Sequence, residues 1–170
     1  MYQDLLAQAK KLAKADARRP KQANLRRAIS AAYYALFHFL IDQSCRNIIG
    51  TQHSQAPYRY VLGRAFAHST MRAACESFSG GTLKQGAQKG LPPSFTVPPE
   101  IMDIADTFVA LQEKRHSADY DLSERFGRSE VLADVREVEA VTKRIKSLPN
   151  SDEKKFFLAC LWAWRTLASR

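Results

Sequence analysis

The sequence predicts an all-α protein, a bundle of five or six helices. Three observations carry that class. Apolar residues recur at spacings of three and four in segment after segment, as one face of a helix requires. No run alternates apolar and polar residues in the manner of a half-buried strand. Proline and glycine punctuate the chain where those segments end.

The first helix is carried by Leu5, Leu6, Ala9, Leu12 and Ala13, and Pro20 punctuates it. A second helix starts there, since proline is tolerated in a first turn, and runs to about Ile49, ending near Gly50. A third is expected from about Gln55 to Phe78. Residues 79–99 read as a loop, because four glycines and four prolines interrupt any regular element. Glu100 opens a fourth helix whose early acids, Glu100, Asp103 and Asp106, suit the positive end of the helix dipole. The pattern lapses around Tyr120 to Gly127. Ser129 then reads as the N-cap of a fifth helix that closes on Lys143, Arg144 and Lys146. Pro149-Asn150-Ser151 marks a stop and restart. A last helix follows, expected to turn Phe157, Leu158, Leu161, Trp162 and Leu167 inward.

The chain has 170 residues and 45% hydrophobic residues, enough for one domain with a real core. No apolar run is long enough to span a bilayer, and the N-terminus lacks the continuous apolar core of a signal peptide. Cys45, Cys75 and Cys160 are odd in number and form no CxxC pair, so neither a disulfide framework nor a zinc site is indicated. Reduced thiols in a cytoplasmic protein are the plain expectation, with no membrane partner, no metal and no cofactor implied.

The net charge of +9 is unevenly placed. From Lys10 to Arg27 there are eight bases against Asp16 alone, leaving +7 in that segment. A local excess of that kind suits a phosphate-bearing partner, with Arg18, Arg19, Lys21 and Arg26 as nucleic-acid contacts. A solvated face on a basic protein is the plainer explanation.

Two stretches concentrate chemistry. In "RRAISAAYYALFHFL", residues 26–40, apolar residues wrap most of the helix, while Arg27, Ser30, Tyr34 and His38 fall on one polar stripe. The ordinary reading is a central core helix whose tyrosines and histidine have satisfied polar tips. In "KRHSADYDLSERF", residues 114–126, Arg115, His116, Asp119, Tyr120 and Asp121 crowd the end of an amphipathic helix. There the ordinary reading is an exposed Arg115–Asp119 pair one turn apart, or an orienting clamp if buried.

Together the stretches resemble the HEPN superfamily, most closely its short stand-alone bacterial members. Arg27, Ser30, Ala32, Tyr33, Tyr34, Ala35, Phe37 and His38 carry the first half of the resemblance; Arg115, Ala118, Asp119, Tyr120 and Asp121 carry the second. It covers roughly residues 1–147, with 148–170 as an added helix packed on the same domain. The resemblance implies an up-and-down helical bundle, commonly a homodimer, and in many members a metal-independent endoribonuclease of toxin–antitoxin or defence systems. Other members bind nucleotides or RNA, or serve as inactive partners. In catalytic members an arginine holds phosphate, and a histidine that follows after four to six intervening residues moves a proton.

This chain departs from that spacing. After Arg115 come Asp119 and Tyr120, and no histidine stands four to seven positions on. His116 is adjacent and points about 100° away on a helix. Arg46 and His53 have a fitting spacing with Gly50 between them; Arg64 and His68 are an incidental pair one turn apart. The expectation is therefore a degenerate motif: Arg115, His38 and Tyr120 as whatever catalytic set remains, and Arg27, Tyr34, Asp119 and His116 around a substrate. Two alternatives stand beside an RNA-acting protein. One is a non-catalytic dimeric module that regulates a cognate protein, since no phosphate-cradling glycine loop is present. The other is a nucleotide-binding domain at Arg115.

Overall fold

The computed structural model describes residues 1–169. Among them no strand occurs, and the regular elements are α1 (Tyr2–Lys14), α2 (Gln22–Ile49), a 3₁₀ turn (His53–Gln55), α3 (Ala56–Gly63), α4 (His68–Ser79), α5 (Gln85–Gln88), α6 (Pro99–Tyr120), α7 (Arg128–Ser147) and α8 (Asp152–Ala168). The class is all-α. The number of helices is higher than five or six, for two reasons. The third expected helix is two helices, α3 and α4. Between them Arg64 and Ala65 donate to carbonyls three residues back, Ala67 turns extended, and Phe66 is buried in the break. The 79–99 loop also carries the short α5, where burial of Leu83, Ala87 and Val97 outweighs the local glycines and prolines.

Three smaller differences concern ends and faces. α7 starts at Arg128 rather than after Ser129; the Glu130 carboxylate accepts from the Gly127 N–H and so caps the helix earlier. α6 starts at Pro99, whose missing N–H costs nothing in a first turn. In α8 it is Trp164, not Trp162, that turns inward: Trp162 is 45% exposed and Trp164 1%. With Phe157 and Leu161 at the centre of the buried face, Trp164 falls within about 60° of Leu161, whereas Trp162 is about 100° round the helix from it.

The chain forms two compact units: Met1–Phe39 with Thr107–Arg144, and Leu40–Asp106 with the residues from Ile145 onward. In the first unit α1 buries Leu6, Ala9 and Ala13. Ala13 joins Leu25, Ala28, Ile29, Ala118, Phe126 and Val131 in one apolar cluster. Tyr33 is fully buried and meets the Phe108 ring at 5.7 Å. In the second unit Phe78 of α4 gathers three rings of α8, with Phe157 at 5.0 Å, Trp164 at 5.9 Å and Phe156 at 6.1 Å. The α8 N-cap is Ser151, which accepts from the Lys154 N–H. Gly50 ends α2 with φ +106°, a left-handed conformation that only glycine adopts without strain. No helix among the described residues is long and apolar enough to cross a membrane.

Candidate functional site

The first unit contains all of the 114–126 stretch and the 26–40 stretch as far as Phe39. The turn after α6 is irregular but tightly held. The Gln22 side chain donates from Nε2 to the Phe126 carbonyl and accepts the Phe126 N–H at Oε1, both at 3.0 Å. Arg26 donates from Nη1 to the Ala118 carbonyl at 2.8 Å and from Nη2 to the Glu124 carbonyl at 2.7 Å. Its guanidinium also lies 5.3 Å from the Phe126 ring centre. The last carbonyls of a helix have no partner within it, so Arg26 closes the end of α6. Asp121 accepts from the Ser123 N–H and hydroxyl, which holds its carboxyl below the usual carboxylate range.

One turn back, Arg115 faces α2. Its Nε lies 2.7 Å from Asp119 Oδ2, and its guanidinium stands over two rings, 5.9 Å from the Tyr33 centre and 5.5 Å from that of Tyr34. The Ser30 hydroxyl donates to the other Asp119 oxygen at 2.8 Å. Arg115, Asp119, Ser30 and Tyr34 are thus one constellation. The polar stripe on α2 does meet the Arg115 helix. Nε is buried, and the side chain as a whole keeps 22% exposure.

His38 joins this group only through Tyr34, on which it stacks with ring centres 6.2 Å apart. Burial, and then the positive Met1 amine, hold His38 below the ordinary imidazole range. His116 and Tyr120 lie elsewhere on α6: both are exposed and their rings meet at 4.9 Å. Asp119 and Asp121 turn to different partners, Arg115 with Ser30 and Ser123 respectively.

Beside the constellation is a concavity of about 460 Å³ between α1 and α2. Leu5, Gln8 and Leu12 form one wall; Arg27, Ser30 and Tyr34 form the other. Leu5 and Leu12 had been legible only as core candidates. They are half-buried here, because α1 turns Leu6, Ala9 and Ala13 to the core instead.

The connector between α1 and α2 is fixed from behind. Asp16 accepts from the Lys21 N–H and the Asn24 amide, both at 2.9 Å, and Arg128 donates to the carbonyls of Asp16 and Ala17. These contacts leave Arg18, Arg19 and Lys21 exposed. Lys11 and Lys14 on α1 and Arg27 on α2 are exposed as well, and none of these six side chains has an ion-pair partner among the described residues. Lys10, by contrast, pairs with Glu139.

Comparison with family models, curated proteins and solved structures finds no match to this chain. The chemistry of the site therefore rests on its own residues. A phosphate at Arg115 would have to approach a guanidinium whose Nε already holds a carboxylate 2.7 Å away. Among the described residues the exposed cations around the connector hold no carboxylate in a salt bridge, and Lys21 alone lies in the field of one, that of Asp16.

A second electrostatic cluster escaped sequence reasoning. Lys114, half-buried, lies 2.6 Å from Glu130 and 2.7 Å from Asp134 of α7. Burial raises the Asp134 carboxyl, and the lysine bond holds Glu130 low. The signal was two acids one turn apart on α7; which base they would meet was not in the spacing.

Proposed function

We propose that this chain is a HEPN-like RNA-binding protein that holds the phosphate backbone with Lys11, Lys14, Arg18, Arg19, Lys21 and Arg27 and has no efficient ribonuclease centre. The observation that carries the reading is the set of exposed cations in no salt bridge among the described residues, of which Lys21 alone feels a nearby carboxylate, on a connector braced by Asp16 and Arg128. A braced connector loses less chain entropy on binding than a free one. The choice of RNA over other polyanions comes from the HEPN resemblance, as do the homodimer and the toxin–antitoxin or defence setting that belong to the same reading.

Two features support weak or absent cleavage. Arg115 is paired to Asp119, and His38 reaches Arg115 only by way of the Tyr34 ring. In this reading Ser30 and Tyr34, contacted from behind by Asp119 and Arg115, form a wall of the concavity, and Arg27 in the same wall is the link to the cation set. A second reading, a dimeric module that seats a partner protein, is favoured by the half-buried Leu5 and Leu12 in that same concavity.

The test is titration of labelled single-stranded RNA at several salt concentrations. Each phosphate contact contributes about 0.7 to the slope of log K against log salt for a single strand. The Arg18→Gln, Arg19→Gln, Arg27→Gln variant should bind more weakly with a slope smaller by about 2. An unchanged slope would remove the cation set from the interface.

A further inference from the structure

A different surface, in the second unit, points to a contact with bases rather than phosphates. α3 is a helix with no buried residue. Tyr58 is 67% exposed, Tyr60 73% and Val61 64%. Advancing about 100° per residue, Tyr60, Arg64, Pro57, Val61 and Tyr58 follow one another round an arc of about 160°, with a tyrosine at each edge. The opposite side of α3 holds Arg59, which donates from Nη1 to the Gly50 carbonyl at 2.8 Å and to the Gln52 carbonyl at 3.0 Å. Gln52 and Gln55 exchange side-chain and backbone hydrogen bonds around the preceding 3₁₀ turn. So short a helix is marginal alone; these bonds hold it with its aromatic side outward.

The charge around it has one sign. From Gln43 to Cys75 the chain contains no Asp or Glu, while Arg46, Arg59, Arg64 and Arg72 all fall within it. Arg46 and Arg72 are paired with Asp42 and Glu76 at the limits of that stretch, and Arg59 serves the turn. Arg64 is exposed at the end of α3 and has no ion-pair partner among the described residues. Two copies of such a face would bring like charges together without a carboxylate to offset them, which disfavours self-association through it.

We propose that the α3 face binds single-stranded nucleic acid, with Tyr58 and Tyr60 as stacking surfaces for bases and Arg64 as a contact to the adjoining phosphate. Exposed aromatic rings beside cations bind single strands because every base has a stacking face. A duplex keeps its bases inside and gains nothing from such rings. The inference stands on α3 alone and not on the cations between α1 and α2, which act on phosphates of either form.

The experiment compares a labelled oligoadenylate of about twelve nucleotides, within the range such sites cover, with an RNA duplex of the same length. Parent, Tyr58→Ala/Tyr60→Ala and Tyr58→Phe/Tyr60→Phe chains are titrated by anisotropy, with sedimentation run alongside. The alanine variant should lose single-strand affinity at least about tenfold, keep duplex affinity within about twofold, and keep its salt slope. The phenylalanine variant should retain single-strand affinity, since stacking needs the ring and not the hydroxyl. Both tyrosines are exposed, so thermal midpoints should stay with the parent. Unchanged single-strand binding in the alanine variant, equal losses on strand and duplex, or a changed sedimentation mass that marks a protein interface would each overturn the proposal. A parent that binds the strand through the α1–α2 cations but ignores the tyrosines sinks this inference and leaves the earlier reading standing. Loss at the tyrosines with no effect of the Arg18, Arg19 and Arg27 changes does the reverse.

Discussion

Two arginines bridge the same pair of helices and end in opposite situations. Arg26 leaves α2 and spends its terminal nitrogens on carbonyls at and beyond the end of α6. Arg115 leaves α6 and comes to rest over two tyrosine rings of α2, with a single carboxylate at its Nε. The first environment is mostly backbone carbonyl, with the Asp121 carboxylate near enough to feel the charge. Those carbonyls would otherwise lack partners, so the arginine is part of how the helix ends. The second is a partly exposed charge pair beside a concavity. A residue type and a helix assignment therefore do not decide between brace and site; the acceptors on the far side do.

That contrast makes the largest expected effect a structural one. Arg26→Ala should lower stability by about 2–3 kcal/mol, because charge-assisted bonds are lost and helix-end carbonyls are left to find water. Lysine should restore little, since one ammonium cannot reproduce the fork that serves Ala118 and Glu124 together. Urea midpoints of the two variants check this. A drop under about 0.5 kcal/mol would mean that the end of α6 holds without its arginine, and the distinction between the two sites would collapse.

Arg115→Ala should cost less, about 1 kcal/mol, the scale of a partly exposed ion pair with an aromatic contact. Asp119 keeps the Ser30 hydroxyl when the arginine is gone. A double-mutant cycle with Asp119→Ala should return a coupling of about 1 kcal/mol, with RNA affinity staying within about twofold of the parent. The opposite outcome, a large loss of RNA binding with little loss of stability, would make Arg115 a phosphate holder and the proposed division of labour wrong.

How far these sites could be read from sequence follows from what periodicity encodes. The stripe Arg27, Ser30, Tyr34, His38 was visible because helical spacing alone places those residues on one line. The Arg115–Asp119 pair was visible for the same reason. The resemblance grouped Arg115 and Asp119 with His38, Tyr34 and Tyr120; the bond that joins the two helices comes instead from Ser30, which was not among those site residues. The Arg26 brace was not legible: its acceptors are backbone carbonyls, which carry no residue-type signal. Arg26 instead looked like one more cation in a basic segment. The split between α3 and α4 was missed because it depends on the burial of Phe66, a tertiary gain that local propensity does not contain. Trp162 and Trp164 show the same limit at finer scale. Both are large and apolar, and only the phase of the buried face separates them.

The smallest expected effect concerns His38, which lies at the edge of the Arg115 group and tests whether that edge is closed. Burial is the first cause of its lowered pKa, and the Met1 amine is the second, itself 3.0 Å from Asp4. A histidine whose folded value lies below its unfolded one binds fewer protons when folded. Its contribution is fully present above the unfolded value near 6.5 and is lost as pH falls through the folded one. Stability should therefore decline as pH is lowered from about 7.5 to about 5.5, and His38→Phe should flatten part of that decline. Asp134 acts in the other sense: burial raises its carboxyl, so protonation at lower pH relieves a cost of folding. The difference between parent and variant, not either curve alone, isolates the imidazole. Urea midpoints at the two pH values supply it. A difference that does not change with pH would show that His38 titrates alike in the folded and unfolded chain. That would open the edge of the group to water and restore the imidazole as a proton carrier beside Tyr34.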